Sequence, residues 1–532
     1  MDQFSGGEGG GGVPQAAPAY VPPQIYMPPQ APPKRRMSKK LLWIVCGAAV
    51  LVLAAVVLVL CLPTAGGSDI RRNPLLFMED GSVYLAVGAE SIELEDASLS
   101  ESSYDNPYLN AELSADGKTL YYLADVNSSG EGDLMRIALG DAKAEPERIA
   151  EDVYTAQIAP DGSKVLYVSN AESGTGDLYL CAPGAKAEKI AEEVSAVGYG
   201  FSPNGSLIFY SLRDGGTTTL VTYSGGSVKE VADIDEGLLL YEYMDDAGRM
   251  LFETCSNDEY ALYLFANGDT ERICRSDYNI AFYQVFGRMD EFLYAADDEL
   301  IYYAQGDEKS LSDEYYWVQF PGYKWYDPRV AADKRFLMVV GDSDPSELYD
   351  VTIPGEPVKI GKTDQVFDTM VDDGFRYCAY TYHDTLYLTR KAGSGWSDRE
   401  EVCENPYRVA FDDSGTTLYY IALDDPADSS GDLCRMSVTS GRAETLMEDV
   451  TAFSFYGGQV YALNDDGEVH LVTGEDKSEQ VEDDISSLYT ADGGLYAFGT
   501  NGSVYFIHGK ESERVSRNAV AIGFYGFLIA SE

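Results

Sequence analysis

Imidazole is almost missing from this chain: its 532 residues hold three histidines, His383, His470 and His508, spaced far apart. A histidine-based catalytic triad or histidine-rich metal centre has little to be built from. Cationic side chains are also scarce, with 38 Lys and Arg against 88 Asp and Glu and a formal net charge of −50. A surface this negative repels phosphate, which excludes nucleic acid as a partner and leaves cationic partners, metal ions included, open. There is no Gly-x-x-x-x-Gly-Lys-Ser/Thr, no His-Glu-x-x-His, no Gly-x-Ser-x-Gly and no dinucleotide fingerprint in a strand-to-helix setting. No two of the eight cysteines stand at Cys-x-x-Cys spacing, so a zinc site of that kind has no basis. The six cysteines beyond residue 62 are even in number, which permits disulfides. Cys255 and Cys274, like Cys378 and Cys403, fall on strands two places apart, a separation of about 9.5 Å that only an inward-bending loop would bridge.

What is present begins with one long apolar run. Residues 41–62, LLWIVCGAAVLVLAAVVLVLCL, are 22 residues without a charge, enough at about 1.5 Å per residue to cross a hydrocarbon layer of about 30 Å. The run is expected to be a transmembrane helix. A cleavable signal peptide fits less well, because its leader would be 40 residues long and its apolar region is usually about 7–15 residues. Lys34, Arg35, Arg36, Lys39 and Lys40 abut the N-terminal end of the run, so the positive-inside rule places the N-terminus in the cytoplasm and the C-terminal region outside, in a single-pass cell-membrane protein. Residues 1–40 are a Pro- and Gly-rich tail with that basic end, expected to be disordered. Its near-duplicate Tyr20-Val21-Pro22-Pro23-Gln24 and Tyr26-Met27-Pro28-Pro29-Gln30 suit a cytoplasmic partner that reads extended proline segments.

After a linker at 63–74, one pattern recurs to the C-terminus. It is clearest in 112–124 (ELSADGKTLYYLA), 157–169 (QIAPDGSKVLYVS), 200–212 (GFSPNGSLIFYSL), 243–255 (YMDDAGRMLFETC) and 410–422 (AFDDSGTTLYYIA), each with glycine at its sixth place. Related turns fall near Asp290 and Asp333, at Gly374 and Gly458, near Gly494 and at Gly526. Each unit reads as a strand, a tight turn whose glycine takes positive φ, and an apolar strand. Stretches such as Asp133–Ile137 and Asp177–Leu180 read as third strands, and Glu147–Ala150 and Glu188–Ala191 as fourth strands. Four strands in about 42 residues make one propeller blade. The fold class is therefore all-β, with about 11 blade-like units over 75–532 in one ring or two, a division falling near 313–324 in the second case. Residues 75–95 and 518–532 each read as part of a blade, and together they complete one and close a ring.

These units resemble the TolB-like propeller repeats, also found in the N-terminal propellers of dipeptidyl peptidase IV and tricorn protease. The resemblance rests on Ser/Ala-Pro-Asp/Asn-Gly, an aromatic strand ending near serine and a later Gly-Asp-Leu-Tyr. It implies an architecture, and architecture does not fix function. The peptidases of that group carry a hydrolase domain beside the propeller, whereas here the repeats run to the last residues.

Two segments carry candidate site residues. In Asp125–Asp133, oxygen side chains at Asp125, Asn127, Ser129 and Asp133, with Gly130 between, have the spacing that wraps Ca²⁺ in the hairpin loops of integrin-type propellers, which this loop resembles. The second segment interrupts the repeat with Tyr315, Tyr316, Trp317, Phe320, Tyr323, Trp325 and Tyr326, rings of the kind that form stacking platforms for sugars or anchors for proteins. The resulting expectation is a membrane-anchored binding or scaffolding module, not an enzyme, for an extracytoplasmic protein, peptide or envelope glycan, with Ca²⁺ as the one cofactor suggested. The alternatives are a transmembrane sensor reporting through the proline-rich tail, and an enzyme using carboxylates at the propeller mouth.

Overall fold

The computed structural model describes residues 75–521, 523 and 524, apart from 98, 102–106, 115–116, 140–143, 215–216, 236–237, 257–258, 279, 287–288, 321–333, 342–344, 365–368, 373, 413, 476 and 492. The chain divides into Met1–Ser68 and Asp69–Glu532. The first unit lies outside the described residues, and with it the expected tail and transmembrane helix. Among the described residues there is no helix long and apolar enough to cross a membrane.

Asp69–Glu532 is all-β and propeller-like. Its described strands run up and down in antiparallel order, mostly in four-stranded sheets. Where the residues are described, the turn pattern read from the sequence is found, while the turns expected near Asp333 and at Gly526 lie outside the described residues. Gly117, Gly162, Gly205, Gly248 and Gly415 have φ of 66°, 69°, 68°, 75° and 62°, and each donates its N–H to the carbonyl three residues back. The turn expected at Gly374 departs by one residue: Phe375 takes the left-handed position, with φ of 48°, and donates to the Asp372 carbonyl. The face of the Phe375 ring lies 4.4 Å from the Arg335 guanidinium, and its carbonyl accepts from the same group at 3.2 Å. These contacts hold a conformation that glycine adopts without steric cost.

The second strand of a unit is mostly apolar on both faces. Thr119–Ala124 is buried throughout, and its alternate residues serve different neighbours: Leu120 and Tyr122 pack with Leu76 and Leu85, whereas Tyr121 and Leu123 pack with Val165 and Tyr167. A strand in the middle of a layered stack has this character, because neither face meets water. Across the second and third strands, ring stacks on ring. Tyr167 and Tyr179 lie 5.2 Å apart, Phe252 and Tyr263 5.2 Å, and Phe292 and Tyr303 4.7 Å.

The cores link the units in sequence. Each hydrophobic cluster takes its side chains from two consecutive units, from Leu76 with Leu120 through to Leu471 with Leu495. A further cluster joins Tyr496 and Val504 in the last full unit to Leu75 and Phe77 in the first. The chain ends meet there, as 3 + 1 strands where two hairpins were expected: Leu75–Glu79, Ser82–Val87 and Glu90–Leu94 form three strands and Val520–Ala521 adds the fourth. Phe77 is opposite Ala521 and Met78 opposite Val520. The strand that follows, Gly523–Phe524, leaves this sheet and pairs in parallel with Pro107–Leu109. A single strand suffices because the first unit already contains its own second, third and fourth.

Carboxylates latch neighbouring units together. Glu112 accepts from the Ile158 N–H and Glu253 from the Ile280 N–H, both at 2.9 Å. Burial raises the Glu253 carboxyl above its usual range, although the Ile280 N–H opposes the shift. A raised folded-state value means that the stabilising contribution is complete below the ordinary Glu range and is lost as pH rises through the folded value. Glu253→Gln keeps the acceptor oxygen and removes the titration. The difference in thermal midpoint between variant and wild type should therefore shift in the variant's favour between about pH 4 and pH 8. Phe292→Ala, which empties a fully buried position, should cost about 3–5 kcal/mol in denaturant unfolding.

Candidate functional site

In an antiparallel unit the turn between second and third strands and the corner leading to the next unit lie at the same end. That end carries a recurring pair of carboxylates. Three long strands, Glu147–Ile158, Glu188–Phe201 and Ala443–Tyr456, each serve as the fourth strand of one unit and the first of the next. They bend at Asp152, Glu193 and Asp449, with φ of 53°, 58° and 58°. Each bend is preceded by Glu and followed by a fully buried valine, Val153, Val194 or Val450. The valine anchors the corner while the two carboxylates turn outward. Sequence reading missed these corners, although Glu-Asp/Glu-Val recurring after each fourth strand is the signal that would have found them.

The Asp125–Asp133 loop lies at the same end. Asn127 Oδ1 accepts from the Ser129 and Glu131 N–H groups at 2.8 and 3.2 Å, and the Asn127 N–H donates to the Glu131 carbonyl at 2.8 Å. Asp133 Oδ2 is paired with Arg148 at 3.0 Å. Asp125 has φ of 49° and donates its N–H to the Asp96 carbonyl. Two of the four expected ligand oxygens are thus engaged within the protein, and among the described residues no three His, Cys, Asp or Glu side chains are grouped to hold a metal ion.

The aromatic segment divides. Tyr315–Gln319 is a first strand paired with Arg335–Val340. Trp317 is half-buried beside Val339, Leu348 and Tyr380, and Phe320 is buried against Phe336 at 5.2 Å, so both rings serve the core. Tyr323, Trp325 and Tyr326, and the side chains of Tyr315 and Tyr316, lie outside the described residues.

Close by, an unforeseen polar cluster joins the 315–363 and 370–404 units. Asp350, 1% exposed, accepts both arms of the Arg335 fork at 2.8 Å, the Lys391 ammonium and the Trp396 indole N–H at 3.1 Å. Burial acts to raise the Asp350 carboxyl, but the hydrogen bonds from Arg335 and Lys391 outweigh it and hold the group below its usual range. Its partners come from positions 15 to 46 residues away, so no local motif announces it.

The histidines stay apart. His383 is exposed near Asp364 at 3.8 Å, His470 sits between Glu468 and Ser478, and His508 contacts the Gly493 carbonyl at 2.7 Å. The six cysteines among the described residues are unpaired. Burial pushes Cys274 up to about 11 and Cys403 up to about 12, away from the thiolate form that a nucleophile needs. Asp350→Ala would strand two half-buried cations and should cost about 3 kcal/mol in urea unfolding, most of it recovered when Arg335 and Lys391 are also replaced by Met.

No family model matches the chain, and no curated protein does. Among the solved structures to which the chain is similar are three. One, described as a eukaryotic initiation factor, has 10% identity and a TM-score of 0.39 over 71% of this chain and 96% of that one. The tricorn protease has 11% identity and a TM-score of 0.22 over 85% and 62%. A putative TolB from Agrobacterium tumefaciens has 15% identity and a TM-score of 0.27 over 49% and 82%. The chain is all-β and propeller-like on the strength of its own strand order.

Proposed function

We propose that this chain is a membrane-anchored, extracytoplasmic propeller that binds or scaffolds a protein, peptide or envelope glycan, held by a transmembrane helix at 41–62 with its N-terminal tail in the cytoplasm. The observation that carries this reading is the circuit of cores. Each described unit shares a core with the next, and the last shares one with the first, where Val520–Ala521 is opposite Phe77 and Met78. We read the circuit as one ring of eleven blades. A ring fixed in this way presents its turns on a rigid frame, and recognition is what loops on such a frame do without added catalytic groups.

Electron cryo-microscopy of the full chain in detergent tests the architecture. The expected particle is a single ring of eleven radial sheets attached to one side of a micelle. Two rings, or a ring without a micelle, would overturn that part of the reading. The same preparation applied to peptide and glycan arrays should be retained by one class of ligand in preference to the others, and uniform absence of retention would count against the binding role.

A further inference from the structure

The first unit leaves the segment after Phe524 without a place in its own sheet. A blade hairpin would return it through Gly526 as a second strand, but Leu75–Glu79 already holds that position, between Ser82–Val87 and Val520–Ala521. Residues 525–530, YGFLIA, carry no charge, and apolar side chains gain about 25 cal/mol for each Å² they remove from water. The segment therefore calls for a surface to cover.

Its direction is set by the two residues before it. Gly523 is opposite Tyr108 and Phe524 opposite Leu109, in parallel pairing. Just beyond Leu109, Ala111–Leu113 ends a ten-stranded sheet whose next strand is Thr119–Ala124. The Leu123 N–H donates to the Asn110 carbonyl at 3.1 Å, and the Ser114 N–H to the Thr119 carbonyl at 2.8 Å, so the even-numbered residues turn their backbone groups towards that neighbour. Alternation then turns the backbone groups of Leu109, Ala111 and Leu113 to the opposite edge, the edge that Gly523–Phe524 has begun to cover. A bare strand edge is a template for one more strand.

We propose that residues 525–529 continue this parallel strand along the edge of Ala111–Leu113, as a strap supplied by the chain itself. Carried forward, the register sets Tyr525 opposite Asn110, Gly526 opposite Ala111, Phe527 opposite Glu112 and Leu528 opposite Leu113. On that register the Ala111 N–H donates to the Tyr525 carbonyl, the Phe527 N–H to the Ala111 carbonyl and the Leu113 N–H to the Phe527 carbonyl. Leu528 comes beside Leu113, whose side chain is half-buried against the core of Leu76, Leu85 and Leu120. The occupant is this chain's own segment, because Phe524 delivers it in register at an effective concentration on the order of millimolar, where a second copy must reach the edge by diffusion. Since Val520–Ala521 belongs to the sheet of the first unit, the strap fastens that sheet to the next one.

Cysteine cross-linking of the full chain in detergent tests the register. Paired residues in neighbouring strands have Cα atoms about 4.8 Å apart, inside the disulfide range, and a slip of four residues adds about 13 Å along the strand. Under mild oxidation the pair Asn110→Cys and Tyr525→Cys should form an intramolecular disulfide, located by proteolysis and mass spectrometry, and the pair Asn110→Cys and Ile529→Cys should not. Hydrogen exchange tests the extension. Phe527→Pro removes the N–H that donates to the Ala111 carbonyl and should cost residues 111–113 their protection, whereas Phe527→Leu keeps the N–H and leaves the protection in place. Equal linking at positions 525 and 529, linking at neither, or linking between two copies would overturn the proposal, the last by giving the edge to a second molecule. So would exchange at 111–113 that is the same in Phe527→Pro and Phe527→Leu.

Discussion

A four-stranded sheet whose second strand is apolar on both faces cannot be buried by one neighbour. That constraint organises the whole of Asp69–Glu532. Leu120 and Tyr122 need a partner on one side, Tyr121 and Leu123 another on the other, and the requirement repeats at every unit. An open stack would leave two apolar faces in water, at 75–94 and at 485–516. Joining them removes both, and the cluster of Leu75, Phe77, Tyr496 and Val504 is where this happens. The stacked rings across second and third strands reinforce each layer from within, by about 0.5–1.5 kcal/mol beyond their buried area.

The distribution of charge follows from the same arrangement. With sheet faces committed to neighbours, most polar side chains lie in turns, corners and outer strands, and those inside the sheets, such as Glu253 and Asp350, are held by hydrogen bonds. Corners at Asp152, Glu193 and Asp449 place a pair of carboxylates at one end of three units, where left-handed aspartate costs less than most residues. The few cations are spent locally, Arg148 on Asp133, Lys189 on Asp177, and Arg335 with Lys391 on Asp350. A net charge of −50 thus coexists with ordered ion pairs at chosen places.

Much of the fold was legible in the sequence because its most local requirement leaves a compositional mark. A turn that needs positive φ selects glycine, and Gly117, Gly162, Gly205, Gly248 and Gly415 gave the period away. Phe375 shows the limit, since a ring held by Arg335 can occupy the same conformation and break the pattern. The site was less legible. Trp317 and Phe320 look like a platform in sequence and are core in the structure, because exposure depends on which strand they join. Asp350 gathers partners from two units, at positions 15 to 46 residues away. The 3 + 1 division of the first unit was hidden for a related reason: Val520–Ala521 is too short to announce a strand, and only its distant partner defines it.

That last strand has a consequence for how the molecule is made. The Arg517 N–H donates to Glu79 across 438 residues, so the first unit to leave the ribosome is the last to be finished. Until Val520 and Ala521 arrive, the apolar faces of its sheet and of the 485–516 unit both stand open, and the loop to be closed is almost the entire domain. Closing it is slow in proportion to such long-range contacts. During synthesis the chain is therefore a string of settled sheets with two adhesive ends, and its safe assembly depends on those ends finding each other before they find another copy.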